Sequence, residues 1–371
     1  MLRSGTVTHA DEPRWIDCQL LDPRADNAAE RRQLLAWMTE QGISLDEMTA
    51  AHAQGQLTAL AGDRALRPGV RMTPNQLALQ LRVDVELIHD VRRASGFPPL
   101  GDDEPGLTDD DVRMFELFEL ASGFFDRDEV LRLATVMGSS IRRIADAAGE
   151  MFLRDVEGPM KADWPVGEIE MAKANLAAIG LARAATGVFA PMFLSHLEVS
   201  TQRARAARQD SKDYDTVPLA IGFVDLSGFT QRSSTLTPRE LHGLVVDFEM
   251  RATGIVGDHD GRLVKLIGDE VMFSAVDAAA ACTIALALIA SAPNGTQARG
   301  GLAFGDVVAS GGDVFGPVVN LASRIADIAI PGEVLVNEAM VERVPTASFE
   351  PAGRRSLKGF SDPVRVWALV G

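Results

Sequence analysis

Apolar residues recur at helical spacing from about position 28 to 208, then give way to an alternation of strand and helix signatures. Positions 30–39 and 110–122 show the three- and four-residue spacing of amphipathic helices, as in Met114, Leu117 and Phe118, and strand-like alternation is scarce in this part. Breakers at 96–101, 104–106 and 164–167 divide it. A long helix-prone segment runs from position 168 to about 209. Pro191 predicts a kink or a division within it, and Arg203, Arg205 and Arg208 stand near its end, where cations complement the helix dipole. Positions 72–89 predict a helix-turn-helix. The acidic runs at 102–104 and 109–111 would repel phosphates, so it reads as a packed helical element rather than a DNA reader.

Beyond a polar connector at 210–216 the signature changes. Residues 219–224 form a continuous apolar run, as expected of a buried central strand. Thr237-Pro-Arg-Glu240 is a capping box with proline in the first helical turn, and Leu241, Leu244, Val245 and Phe248 follow on one face. Residues 262–267 and 270–275 flank Gly268-Asp269 as a two-residue hairpin. Asp277 caps an alanine-rich helix. Residues 300–304 and 307–310 predict a second hairpin around Gly305-Asp306, and a helix over 318–328 and a strand over 333–336 follow. The order β-α-β-β-α-β is ferredoxin-like. The whole chain therefore reads as α+β, an all-α domain over 1–209 and a ferredoxin-like domain over 210–371.

Six polar residues of the second domain stand out: Asp225, Lys265, Asp269, Asp313, Asn320 and Arg324. Each alone reads as a cap, a turn residue or a solvated charge; the set carries the chemistry. Asp225 ends the apolar run and precedes small residues whose N–H groups suit a metal–phosphate complex. Asp269, at the hairpin tip, can converge on it, because neighbouring strands end close together. Two hard oxygen ligands suit Mg²⁺ or Mn²⁺. Lys265 lies two residues from Leu263 and from Ile267 and is expected on their face. Paired with Asp313 it can donate to adenine N1 while the aspartate accepts from the N6 amino group. Guanine presents the opposite pattern, and such a mismatch discriminates strongly. Asn320 and Arg324 lie one turn apart on one helical face, an arrangement suited to stabilising charge in phosphoryl transfer.

Segments 223–230, 265–270 and 313–324, with the tail 357–364, resemble the catalytic domain of class III nucleotidyl cyclases, specifically adenylyl cyclases. The resemblance implies that Leu226 adds its backbone carbonyl to the metal held by Asp225 and Asp269. It implies two Mg²⁺ or Mn²⁺ per active site, one activating the ribose 3′-hydroxyl and one holding the triphosphate. Phe229, Thr230 and Arg299 join the substrate site, Arg299 as a phosphate-binding arginine. By the same resemblance Asn320 orients the ribose through its ring oxygen and Arg324 stabilises charge on the α-phosphate. The family takes its metal aspartates from one subunit and its transition-state residues from the other, so one copy of all six implies a homodimer with two equivalent sites. In layout and length the helical half resembles the regulatory domain of bacterial soluble adenylyl cyclases that sense pH or lipid. The expectation is an adenylyl cyclase that makes cyclic AMP from ATP, with a lipid or a proton as regulator. Two alternatives stay open, a non-enzymatic nucleotide-binding sensor or scaffold, and a guanylyl or diguanylate cyclase. Against the last, Gly311-Gly-Asp-Val-Phe315 has valine where the diguanylate cyclase signature has glutamate.

Composition narrows the partners. At 371 residues, 46% of them hydrophobic, the chain can build two cored domains. A net charge of −16 argues against a nucleic-acid partner but not against a nucleotide, whose phosphates a divalent cation neutralises. Cys18 and Cys282 are far apart and without metal-ligand spacing, as in a reducing compartment. The apolar stretch 175–194 holds Arg183 in its middle and 278–292 is short, so no transmembrane segment is expected. Positions 1–11 lack the apolar core of a secretory signal, and the expected location is the cytoplasm. The six histidines are scattered; His196 lies on the connecting helix, where protonation would matter.

Overall fold

Helix follows helix in the first part of the chain, and side-chain caps set several of their starts. In order they are α1 (Glu12–Asp17), α2 (Ala28–Glu40), α3 (Leu45–Ala53), α4 (Leu60–Leu66), α5 (Pro74–Leu81), α6 (Val85–Ala94), α7 (Asp109–Ser122), α8 (Arg127–Phe152), α9 (Gly158–Ala162) and α10 (Glu168–Ala207). Ser44 and Thr73 accept the backbone N–H three residues on, and Glu47 and Gln76 bond back, which satisfies donors the helix itself leaves open. The computed structural model describes residues 11–162, 166–208, 215–227, 236–293 and 296–371. The chain divides into two units, Met1–Leu194 and Ser195–Gly371.

Two apolar cores organise the first unit. One gathers Trp15, Leu34, Leu35, Met38 and Met48 with Ile169 and Ala172 of α10; the other gathers Leu77, Ile88, Val91, Leu107 and Phe115. α5 and α6 form the expected helix-turn-helix, joined through Arg82 in the left-handed region at φ 59°. Arg92 of α6 is buried and donates to the Pro98 carbonyl at 3.0 Å.

Pro191 does not divide α10, which runs unbroken for 40 residues; the proline removes one N–H bond from a helix that keeps its bonds on either side. By length and composition α10 is long and apolar enough to cross a membrane, although the sequence reading set its apolar stretch aside because of Arg183. In the structure Asn175 donates to the Thr58 carbonyl at 3.1 Å and Arg183 to the Ala65 carbonyl at 2.8 Å, so its first half is tied to α4 and to the turn that precedes it.

The second unit is built on a mixed sheet. Its elements are β1 (Val217–Ser227), α11 (Pro238–Asp258), β2 (Arg262–Ile267), β3 (Glu270–Ala275), α12 (Ala278–Ala290), β4 (Gln297–Ser310), β5 (Asp313–Phe315), α13 (Pro317–Ile328), β6 (Val334–Asn337), α14 (Glu338–Arg343), β7 (Ser348–Arg355) and β8 (Val364–Val370). The strand order is β2-β3-β1-β4-β6-β8-β7, with β5 paired to β4. The ferredoxin-like core expected from the sequence is present, with β1 antiparallel to both β3 and β4. One face of the sheet buries Phe248 and Val256 of α11 and Ile284 and Leu288 of α12 against Phe273. The other buries Ala322 and Ala326 of α13 against Ile221, Phe223 and Ala303.

Glycines decide two features of this sheet. The hairpin expected at Gly305-Asp306 is absent: β4 continues through it, paired with β1 as far as Val217 opposite Val307. Gly305 is small because Val318 of α13 leans on it; a Cβ there would lie 2.7 Å from the Val318 side chain. The chain turns instead at Gly311 and Gly312, at φ 60° and 79°, values that suit glycine. Gly301 serves α13 likewise. A Cβ on it would lie 2.2 Å from the Ala326 backbone nitrogen, so the helix rests directly on the strand.

Candidate active site

Asp225 stands near the end of β1, opposite Glu270 of β3 and Arg299 of β4. Asp269 follows Gly268, which takes φ 67° at the hairpin tip, as the sequence predicted. Its carbonyl accepts the Leu226 N–H at 3.3 Å, which ties the tip to the end of β1. Leu226 itself is buried. Burial holds the Asp269 carboxyl above the usual carboxylate range, and the charge of Asp225, close enough to share a hydrogen bond, adds to the rise.

Two facing carboxylates on a half-buried strand end are the donor set a hard divalent cation takes, and their mutual repulsion is what it would relieve. Among the described residues no group of three or more candidate metal-binding side chains gathers. The pair therefore fits a cation that fills its shell from water and phosphate, as Mg²⁺ does.

Arg299 occupies the same place from the other side. Its Nε and Nη2 both donate to Asp225 Oδ2 at 3.1 Å, and its Nη1 donates to the carbonyls of Asp327 at 2.7 Å and Ala329 at 3.4 Å. Two acidic residues here were not singled out in the sequence. Glu270 is pushed up to about 7, by burial first and then by the charges of Asp225, Asp327 and Asp269. Asp327 accepts from Arg324 Nη1 at 2.7 Å. Glu270 lay within a quoted segment, but burial of its strand, which gives it its character, is not visible locally.

Lys265 and Asp313 meet across 48 positions of sequence, Nζ to Oδ2 at 2.5 Å. Asp313 also accepts the Val314 N–H at 2.8 Å. Burial works to raise its carboxyl, but the Lys265 bond, the Val314 N–H and the charges of Lys265 and Arg262 outweigh it, so it lies below the usual range. The face expected for Lys265 needs correction. The register shifts between Leu263 and Lys265. Leu263 and Leu266 both pack into the core under α11 and α12, while Val264 packs on the opposite side. This irregularity puts Lys265 out of phase with Leu263 and leaves it exposed with Ile267.

Asn320 and Arg324 lie one turn apart on α13. Asn320 is exposed and Arg324 half-buried, while Ala322, Ile325 and Ala326 on the inner side are buried. Among the described residues, no direct hydrogen bond or ion pair joins the groups Asp225/Asp269, Lys265/Asp313 and Asn320/Arg324 to one another. Phe229 and Thr230 lie outside the described residues.

Comparison with known proteins places both halves. Residues 18–200 match the family described as adenylate cyclase regulatory domain, and residues 210–371 the adenylate and guanylate cyclase catalytic domain. An uncharacterized protein of Mycobacterium tuberculosis is 31% identical over 350 residues, 92% of this chain and 91% of that protein. An adenylate cyclase of Streptomyces coelicolor is 34% identical over 289 residues, covering 76% of this chain and 74% of its own length. A pH-sensitive adenylate cyclase of Mycobacterium tuberculosis is 29% identical over 389 residues, 98% of this chain and 93% of its own. The chain belongs to the class III adenylate cyclases, with the family's regulatory domain ahead of its catalytic domain.

Proposed function

We propose that this protein converts ATP to 3′,5′-cyclic AMP and pyrophosphate at sites shared between two copies of the chain, with two Mg²⁺ or Mn²⁺ per site. The observation that carries the reading is the pairing of Lys265 with Asp313, a donor beside an acceptor as the adenine edge requires, on the domain that also brings Asp225 to Asp269. Lys265 donates to adenine N1 and Asp313 accepts from the N6 amino group, so guanine leaves both unpaired. Asp225, Asp269 and the Leu226 carbonyl would hold the cations, which would supply a lowered pKa for the 3′-hydroxyl and countercharge for the triphosphate. In the reaction the ribose 3′-oxygen attacks the α-phosphorus and loses its proton, and the bond from that phosphorus to the bridging oxygen breaks to release pyrophosphate. Asn320 positions the ribose through its ring oxygen. Arg324 exchanges Asp327 for the α-phosphate, where charge accumulates. Arg299, now on Asp225, is the phosphate-binding arginine of the substrate site, which Phe229 and Thr230 join.

The shared site follows from the family resemblance, in which the metal aspartates come from one subunit and the residues matching Asn320 and Arg324 from the other. The helical unit is the seat of regulation, by a proton or a lipid, in a cytoplasmic protein whose described cysteines are both free. No observation favours a catalytically silent scaffold. The test is a cyclic AMP assay with Mn²⁺ on the full chain and on two variants, Asp225→Ala and Asn320→Ala. Each alone is nearly inactive. Mixed one to one, they recover roughly a quarter of the wild-type rate, because about half the dimers are mixed and each of those holds one intact site. Subunit exchange without recovery would overturn the shared site.

A further inference from the structure

The second unit holds a cavity of about 830 Å³ that shares only Asp313 with the residues assigned to the proposed reaction. That volume lies within the ~300–1,000 Å³ typical of small-molecule sites. Its walls come from the last turns of α10, the end of α11, the starts of β1 and β2, the end of β3 and the β4–β5 hairpin. Its charged lining is Arg203, Arg208, Arg262, Asp260 and Asp313, and His196 also lines it. Much of the remainder is apolar, including Val199, Leu219, Val256 and Val276.

The three arginines are not neutralised there. Among the described residues none of them makes an ion pair with a carboxylate. Arg208 donates only to the Ala204 carbonyl at 3.4 Å, and Arg262 to the Gly312 carbonyl. Arg203 and Arg208 are half-buried, whereas Arg205 between them points to solvent. Arg262 lies below the usual arginine range, by burial first and then by the charge of Arg203, with the charge of Asp313 acting the other way. Asp313 is already paired with Lys265. Three guanidinia against the single remaining carboxylate of Asp260 leave a surplus of about two positive charges, and a phosphate monoester carries about −1.5 to −2 at neutral pH. The planar fork of arginine matches phosphate oxygens.

We propose that this cavity is a binding site for a small organic phosphate monoester, its phosphate held by Arg203, Arg208 and Arg262 and its carbon skeleton on the apolar floor. The ligand would touch the end of α10 and the hairpin that carries Asp313 together. Because Arg262 also holds the carbonyl of Gly312, occupation of the cavity bears directly on the residue next to it, Asp313.

Phenyl phosphate is the probe, with inorganic phosphate and phenol as controls. Calorimetric titration into the full chain, with EDTA and without nucleotide, keeps the result independent of cyclase activity. Phenyl phosphate is expected to bind at sub-millimolar concentration, at least about tenfold more tightly than inorganic phosphate, and phenol not measurably. Arg203→Gln and Arg262→Gln should each weaken it at least about tenfold, with Arg203→Lys intermediate because charge survives without the fork. Arg324→Ala should leave the affinity within about twofold, since Arg324 does not line the cavity. Circular dichroism of each variant separates lost binding from lost folding. Absence of binding at ~10 mM probe, equal affinity for inorganic phosphate, or loss in Arg324→Ala with retention in folded Arg203→Gln would each overturn the site.

Discussion

Arg299 grips one oxygen of Asp225 with two nitrogens, Nε and Nη2 each 3.1 Å from Oδ2. A guanidinium so placed competes with a cation for that carboxylate, because both need the same lone pairs. Arg299→Ala is therefore expected to bind Mn²⁺ alone up to about tenfold more tightly, the scale of one charge-assisted bond. Titration followed by the electron paramagnetic resonance of free Mn²⁺ measures this without substrate. Weaker binding in the variant would mean that Arg299 aligns Asp225 for the metal rather than competing for it.

The Lys265–Asp313 pair should control base choice. Replacing Lys265 by glutamate and Asp313 by cysteine removes the adenine pattern and should lower kcat/KM for ATP by at least about 10²-fold more than for GTP, since a site built to hydrogen-bond its substrate is left with unpaired groups. Side-by-side kinetics with both nucleotides decide it. Equal losses would make the pair a structural ion pair.

The carboxylates around Asp225 predict a pH dependence of stability. Glu270 has its ordinary value near 4.5 when unfolded and about 7 when folded. A raised folded value means the native state holds the proton more tightly. Its contribution is fully present below 4.5 and is lost as pH rises through about 7. Thermal melts of the metal-free protein should thus fall across this window, and Glu270→Gln should flatten the fall. Mn²⁺ should raise the melting temperature more at pH 8 than at pH 5.5, because the charge that Glu270 gains above about 7, beside those of Asp225 and Asp269, is repulsion that a cation relieves. A metal effect independent of pH would contradict the assignment.

Gly301 should be intolerant of any side chain. A Cβ would meet the backbone of α13 at Ala326 N and Ala322 O, which cannot rotate away. Gly301→Ala is expected to cost about 1–3 kcal/mol and to reduce activity beyond the loss of folded protein, because α13 carries Asn320 and Arg324. Gly243→Ala on α11, where a Cβ meets nothing within 4 Å, should instead stabilise by roughly 0.4–1 kcal/mol. Urea unfolding of the two variants gives the contrast, and an unchanged Gly301→Ala would show that α13 can lift without loss.

Local chemistry made much of this protein legible in its sequence. The capping box at Thr237, the Gly268-Asp269 turn and the apolar run of β1 act over a few residues, and each appears where it was expected. The spacing of Asp225, Lys265, Asp269, Asp313, Asn320 and Arg324 within those elements pointed to nucleotide chemistry before any contact was known. Other features were decided only by tertiary structure. The bond from Arg299 to Asp225 spans 74 positions and depends on β1 and β4 pairing in one register. The irregularity beside Val264 puts Lys265 out of phase with Leu263 while leaving it with Ile267, and periodicity cannot report a residue that breaks the period. Gly305 reads locally as a turn, yet it is a strand residue kept small so that Val318 can approach. Turn propensity and capping are energies of neighbours along the chain, whereas close approach, burial and ion pairing are energies of neighbours in space, which exist only once the sheet has formed.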